Sequence, residues 1–105
     1  QIQPPSGLSL IRLSLYDADD SHCQDIAILV QQCFGPRTQG KLWLHDSNIT
    51  GAGAITLLRC LGEERVKCSS INIWSSHALS HEQEEEMKKL AEDCVKQKIG
   101  WFCGE

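Results

Sequence analysis

The sequence predicts an α/β solenoid, with three strand–turn–helix units, a parallel sheet on one side and helices on the other. Three observations carry this. Leu13-Ser14-Leu15, Leu42-Trp43-Leu44 and Ile71-Asn72-Ile73 are apolar–x–apolar triplets whose numbers differ by a constant 29 (42 − 13 and 71 − 42). Self-similarity at that length marks a stacked repeat. Each triplet has the period of two of a strand with one face on a core. Each is followed by a polar turn and then by apolar residues stepping by three and four, which is one face of a helix.

Taken in order, Pro4, Pro5 and Gly7 make residues 1–7 an irregular lead-in. A strand near 10–16 follows, with Leu10, Leu13 and Leu15 inward. Ser21 and Gln24 have capping-box spacing for a helix over 22–34. That helix would turn Ile26, Leu29, Val30 and Cys33 to the core and stop at Gly35-Pro36. The second strand lies near 41–46. Thr50 caps a helix over 51–61, with Ala54, Leu57, Leu58 and Leu61 inward and Gly62 at its end. The third strand lies near 70–75. Ser80 and Gln83 form a second capping box, for a helix over 81–97 that buries Met87, Leu90, Ala91, Cys94 and Val95. Shifted by 29 or 58, Leu29, Leu58 and Met87 coincide.

The last helix is the best formed by local rules. Glu82, Glu84, Glu85 and Glu86 lie in its first turns and Lys96 and Lys98 near its end, which suits the helix dipole. Glu84–Lys88, Glu85–Lys89 and Glu92–Lys96 are spaced as i,i+4 ion pairs at about 0.3 kcal/mol each. This run reads as a solvated helix face. Ile99 to Cys103 sits where a fourth strand would begin, in phase to within one residue, and closes the array.

The chain has 105 residues, enough for one small domain over 1–105, and a formal net charge of −4. Mixed charges of that balance argue against a nucleic-acid surface. No apolar run approaches the roughly 20 residues that span a bilayer. The N-terminus has neither a basic-then-apolar leader nor a Met, so the chain reads as a piece of a longer protein. The six cysteines, Cys23, Cys33, Cys60, Cys68, Cys94 and Cys103, form no C-x-x-C pair. They read as small buried apolar residues of a reduced protein, against the alternative of a secreted domain with disulfides.

Other constellations are weaker. Gly51-Ala52-Gly53 between strand and helix is part of a dinucleotide loop, but Thr56 stands where the third glycine belongs. Cys60, Cys68, His77 and His81 are zinc-ligand types, and His77-x-x-x-His81 has a ligand-like spacing. But Cys60 and Cys68 are further apart than in a zinc knuckle, and His81 lies in a first helical turn. Nothing orients a Cys–His nucleophile pair. Asn48-Ile49-Thr50 is a glycosylation sequon that matters only in a secreted chain. A thioredoxin-like fold fits the length but lacks C-x-x-C and leaves the constant interval of 29 unexplained.

The middle unit resembles the leucine-rich repeat of the ribonuclease-inhibitor type, as in NOD-like receptors. Leu42, Leu44, Ile49, Thr50 and Gly53 fall on that pattern, followed by Ala54, Leu57, Leu58 and Leu61. Ser47 takes the Asn/Cys position and Gln39 the first Leu position, both departures. The first unit departs at Ala18 and Asp20, and the third keeps Ile71 and Ile73 behind Cys68. Degenerate end repeats are the rule, because they cap the array. The resemblance implies a concave sheet face presenting Arg12, Ser14 and Tyr16, then Lys41, Trp43 and His45, then Ser70, Asn72 and Trp74. Tyr16, His45 and Trp74 would stack as a ladder with Trp43 beside it. It also implies a non-catalytic, cytoplasmic interaction or ligand-sensing module of an innate immune receptor, needing no cofactor and no metal. Its binding residues would be Arg12, Tyr16, Lys41, Trp43, His45, Asn72 and Trp74. The partner would be a protein or another domain of the same chain, not nucleic acid or membrane. The alternatives are a structural cap that ends a repeat array, and a small metal or redox protein using its Cys and His residues.

Overall fold

The computed structural model describes residues 12–34, 40–66 and 68–103, the side chains at 93, 94 and 96–98 excepted. The lead-in, Leu10 and the Gly35-Pro36 stop lie outside the described residues. The strands are β1 (Arg12–Tyr16), β2 (Lys41–Ser47), β3 (Cys68–Ser75) and β4 (Val95–Cys103). The helices are α1 (Cys23–Phe34), α2 (Gly51–Glu63) and α3 (His81–Cys94), and a short 3-10 turn over Asp20–His22 leads into α1. The protein is α/β: the four strands form one parallel sheet in sequence order. Parallel neighbours need a crossover, and each crossover here is a helix.

The sheet repeats as the sequence does. Leu13 pairs with Leu42 and Leu42 with Ile71, so the pairing follows the same interval (42 − 13 = 71 − 42 = 29). Leu42, Leu44, Ile71 and Ile73 share one buried cluster with Val30, Leu57, Leu58, Leu61 and Met87, so the three helices lie on one face of the sheet. A fully buried Leu or Ile contributes about 1.5–3 kcal/mol, so the cluster is the main source of stability. α2 packs between α1 and α3.

The helices do not share the strand interval. The helical segments are capped by Asp19, Thr50 and Ser80, at intervals of 31 and 30 (50 − 19, 80 − 50). Shifted by 31, buried Cys23, Ile26, Ala27 and Val30 coincide with buried Ala54, Leu57, Leu58 and Leu61. This corrects the first helix: Cys23, Ile26, Ala27, Val30 and Phe34 face inward, while Leu29 and Cys33 are exposed. A shift of two residues is about 200° around a helix, enough to turn the wrong face inward.

Capping explains the shift. Asp19 accepts from Ser21 N at 2.9 Å, and His22 Nδ1 accepts from Asp19 N at 3.0 Å, so the first box is Asp19/His22 in place of Ser21/Gln24. The Asp19 carboxyl is held below its ordinary pKa, chiefly by the Ser21 hydroxyl. Thr50 Oγ1 accepts from Gly53 N at 3.2 Å, and Ser80 and Gln83 form their box as predicted. Asp20 on the preceding turn accepts from Thr50 N at 2.9 Å and Thr50 Oγ1 at 2.7 Å. A Cβ on Gly53 would lie 1.9 Å from that carboxylate. The glycine is therefore a packing requirement between neighbouring units.

α3 ends at Cys94, not 97, and Val95 opens β4. Lys96 and Lys98 therefore lie on a strand, beyond the end of the helix. Among the described residues Glu86 pairs with Arg59 of α2 at 2.9 Å and Lys88 with Glu85 at 3.7 Å, in place of the i,i+4 pairs. Of the cysteines, Cys23 and Cys68 are buried, but Cys33 and Cys103 are exposed, which corrects the reading of all six as core residues.

Candidate functional site

The face of the sheet opposite the helices carries every residue the alternation assigned to it. Pairing arranges it in rungs. Arg12, Lys41 and Ser70 are in register, with Lys98 at the corresponding position of β4. The next rung is Ser14, Trp43, Asn72 and Gly100. The third is aromatic. Tyr16 stacks on His45 with ring centroids 4.7 Å apart, His45 on Trp74 at 4.8 Å, and Trp74 on Phe102 at 5.0 Å, with interplanar angles of 17°, 6° and 20°. Neighbouring strands lie about 4.8 Å apart, so rings at equal positions stack of necessity. Trp43 meets His45 and Trp74 edge-on at 5.8 and 5.5 Å, and the Arg12 guanidinium lies 4.4 Å over the Trp43 ring.

Phe102 is the rung that sequence reasoning missed. Counting 29 from Trp74 lands on Cys103, but β3 pairs with β4 at an interval of 28 (102 − 74). The phase error of one residue noted for the fourth strand held the signal. Trp101, on the opposite face, packs against the core and donates its indole N–H to the His77 carbonyl at 2.9 Å.

The strand ends shape the ladder. Asp17 and Asp46, at the same interval as the strands (46 − 17 = 29), have φ of 62° and 47°, a left-handed conformation that Asp tolerates better than most residues. Between Leu44 and Ser47 the register slips by one, so β2 carries one residue more than β3 there. Ser47, at the Asn/Cys position, is buried and donates to the Trp74 carbonyl at 3.1 Å, which ties the turn to the rung. A Cβ on Gly100 would lie 2.4 Å from Asn72 Oδ1 and 3.0 Å from the Phe102 ring, so glycine lets both side chains settle.

The electrostatics of this face are one-sided. Arg12 and Lys41 lie at one end of the strands, and neither forms an ion pair among the described residues. No Asp or Glu occupies the three rungs. Trp43 Nε1 and Ser14 Oγ, neighbours in the middle rung, are buried with no hydrogen-bond partner among the described residues.

The other candidates are placed differently. His77 Nε2 lies 2.8 Å from Asn48 Oδ1, beside a shallow depression lined by Asp19, Asp20, Ser21, Asn48, Thr50 and His77. Their polar atoms largely engage one another, Asp19 with Ser21, Asp20 with Thr50 and Asn48 with His77. Cys23 is buried beside the Gly53 carbonyl at 3.1 Å, and burial pushes its thiol up to about 11. Burial likewise raises Cys60. Thiols held protonated are packing groups and poor nucleophiles. Among the described residues no cluster of His, Cys, Asp and Glu is arranged for a metal ion, and no helix is long and apolar enough to cross a membrane. No protein-family model, curated protein or solved structure matches this chain.

Proposed function

We propose that the chain is a leucine-rich-repeat module of the kind found in NOD-like receptors, and that its helix-free sheet face binds a protein segment without catalysis. The observation that carries this is the four-ring ladder. Tyr16 is 62% and Phe102 44% exposed, on a face that no helix covers among the described residues. Aromatic side chains are the usual anchors of protein interfaces, because they bury large area at small entropic cost. The constant strand interval of 29 supports the repeat class.

The test is selection of short random peptides, displayed on phage, against the full chain. Selected peptides should lose binding to Tyr16→Ala and Phe102→Ala. These are the ladder ends, each with one ring contact among the described residues, and should fold normally. Trp43→Ala and Trp74→Ala should also lose binding, but Trp74 holds three ring contacts, so its loss also costs stability. Peptides that bind all four variants as well as the parent, or no selectable binding at all, would defeat the reading.

A further inference from the structure

Resting on that reading, we infer that the face takes an acidic peptide segment, with carboxylates over the Arg12–Lys41 end and an apolar or aromatic side chain against the ladder. The face has a surplus of donors. Arg12 and Lys41 have no carboxylate partner among the described residues, and Trp43 Nε1 is a buried N–H without an acceptor among them. The three rungs contain no Asp or Glu. This holds although the chain as a whole carries a net charge of −4, so the charge of this face runs against that of the molecule. An occupant that completes the face must bring acceptors, and complementary charge selects a carboxylate-bearing one.

Arg12 is available for the exchange. It is exposed and rests on a single ring at 4.4 Å. Turning toward a carboxylate would free the face of the Trp43 ring that the guanidinium now occupies. Asp17 and Asp46 lie beyond the aromatic rung, at the far end of the strands, so the acidic end of the peptide belongs over Arg12 and Lys41. The basic and aromatic rungs are four positions apart along β1 (16 − 12), which is about 13 Å. An extended peptide lying along the strands spans that distance between side chains i and i+4.

Nucleic acid would supply acceptors too, but the ladder is unsuited to it. Base binding uses open ring faces as stacking platforms. Here the inner ring faces are spent on one another, with centroids 4.7 to 5.0 Å apart, and no slot for a base lies between them.

The peptide selection tests this separately from the reading it rests on. The expected result is enrichment of Asp and Glu, with an aromatic or large apolar residue four positions away. Binding should weaken at least about tenfold for Arg12→Glu combined with Lys41→Glu, and should fall when NaCl rises from about 50 to about 500 mM. The charge-reversed chain should keep its far-UV circular dichroism, because neither side chain holds an ion pair among the described residues; Arg12→Gln with Lys41→Gln is the milder variant if it does not. Peptides that depend on Tyr16 and Phe102 but show no acidic excess and no response to either charge variant would overturn this inference and leave the face intact. Peptides indifferent to both sets of changes would overturn both. Thymidine oligonucleotides that bind with the same sensitivities and displace the peptides would assign the face to nucleic acid instead.

Discussion

Trp74→Ala should destabilise the chain about three times as much as Tyr16→Ala. Trp74 contacts His45, Trp43 and Phe102 at 4.8, 5.5 and 5.0 Å, whereas Tyr16 contacts only His45 among the described rings. Aromatic pairs contribute about 0.5–1.5 kcal/mol each, and a half-exposed face belongs at the low end. Three pairs lost give about 1.5 kcal/mol, and one gives about 0.5 kcal/mol. The assay is urea unfolding followed by far-UV circular dichroism, since tryptophan fluorescence would lose one of its three probes in one variant and so would not compare like with like. With a slope of about 1–2 kcal/mol per molar, the Trp74 variant should unfold at roughly 1 M less urea and the Tyr16 variant within roughly 0.5 M of the parent. Equal shifts for both, or no shift for Trp74→Ala, would mean that the rings do not support one another and that the ladder is not a structural unit.

Three further outcomes follow from the packing. Asp20→Ala and Gly53→Ala each break the same two bonds from Thr50 to the Asp20 carboxylate, so their costs should not add; a double-mutant cycle should show coupling of about 1–2 kcal/mol, and additivity would place the carboxylate elsewhere. Ser80→Ala should cost about 1 kcal/mol through the lost box with Gln83, read from the urea midpoint. Burial raises Cys23 from 9.0 to about 11, so between those values the unfolded chain releases a proton that the folded chain keeps. Stability conferred by the neutral thiol is therefore complete below pH 9, fades as pH rises toward 11, and the fall should be shallower in Cys23→Ala.

Much of this arrangement was open to reading in the sequence because strand alternation is local. Leu42 and Leu44 must face one way and Trp43 and His45 the other once the segment is extended, whatever lies around it. A constant interval of 29 then places Tyr16, His45 and Trp74 side by side. Phe102 escaped because the interval shortens by one before β4, and Leu29 and Cys33 were misassigned because helix phase was inferred from strand phase. A one- or two-residue change in a turn leaves the strands in register but rotates everything counted through it.

By itself the sequence determined three strand–helix units, a parallel sheet, and the side of each strand that its aromatic and basic residues occupy. Those follow from periods of two and 3.6 and from a repeated spacing. The tertiary structure alone decided that Asp19 rather than Ser21 caps the first helical segment, that Asp20 reaches forward to Thr50, and that Val95 leaves its helix for the sheet. It alone brought a fourth ring onto the ladder and left Trp43 Nε1 without a partner among the described residues. The Asp20–Thr50 bonds and the Trp74–Phe102 stack depend on how one unit sits on the next. Such contacts join side chains a whole repeat apart, and no local period in the chain encodes them.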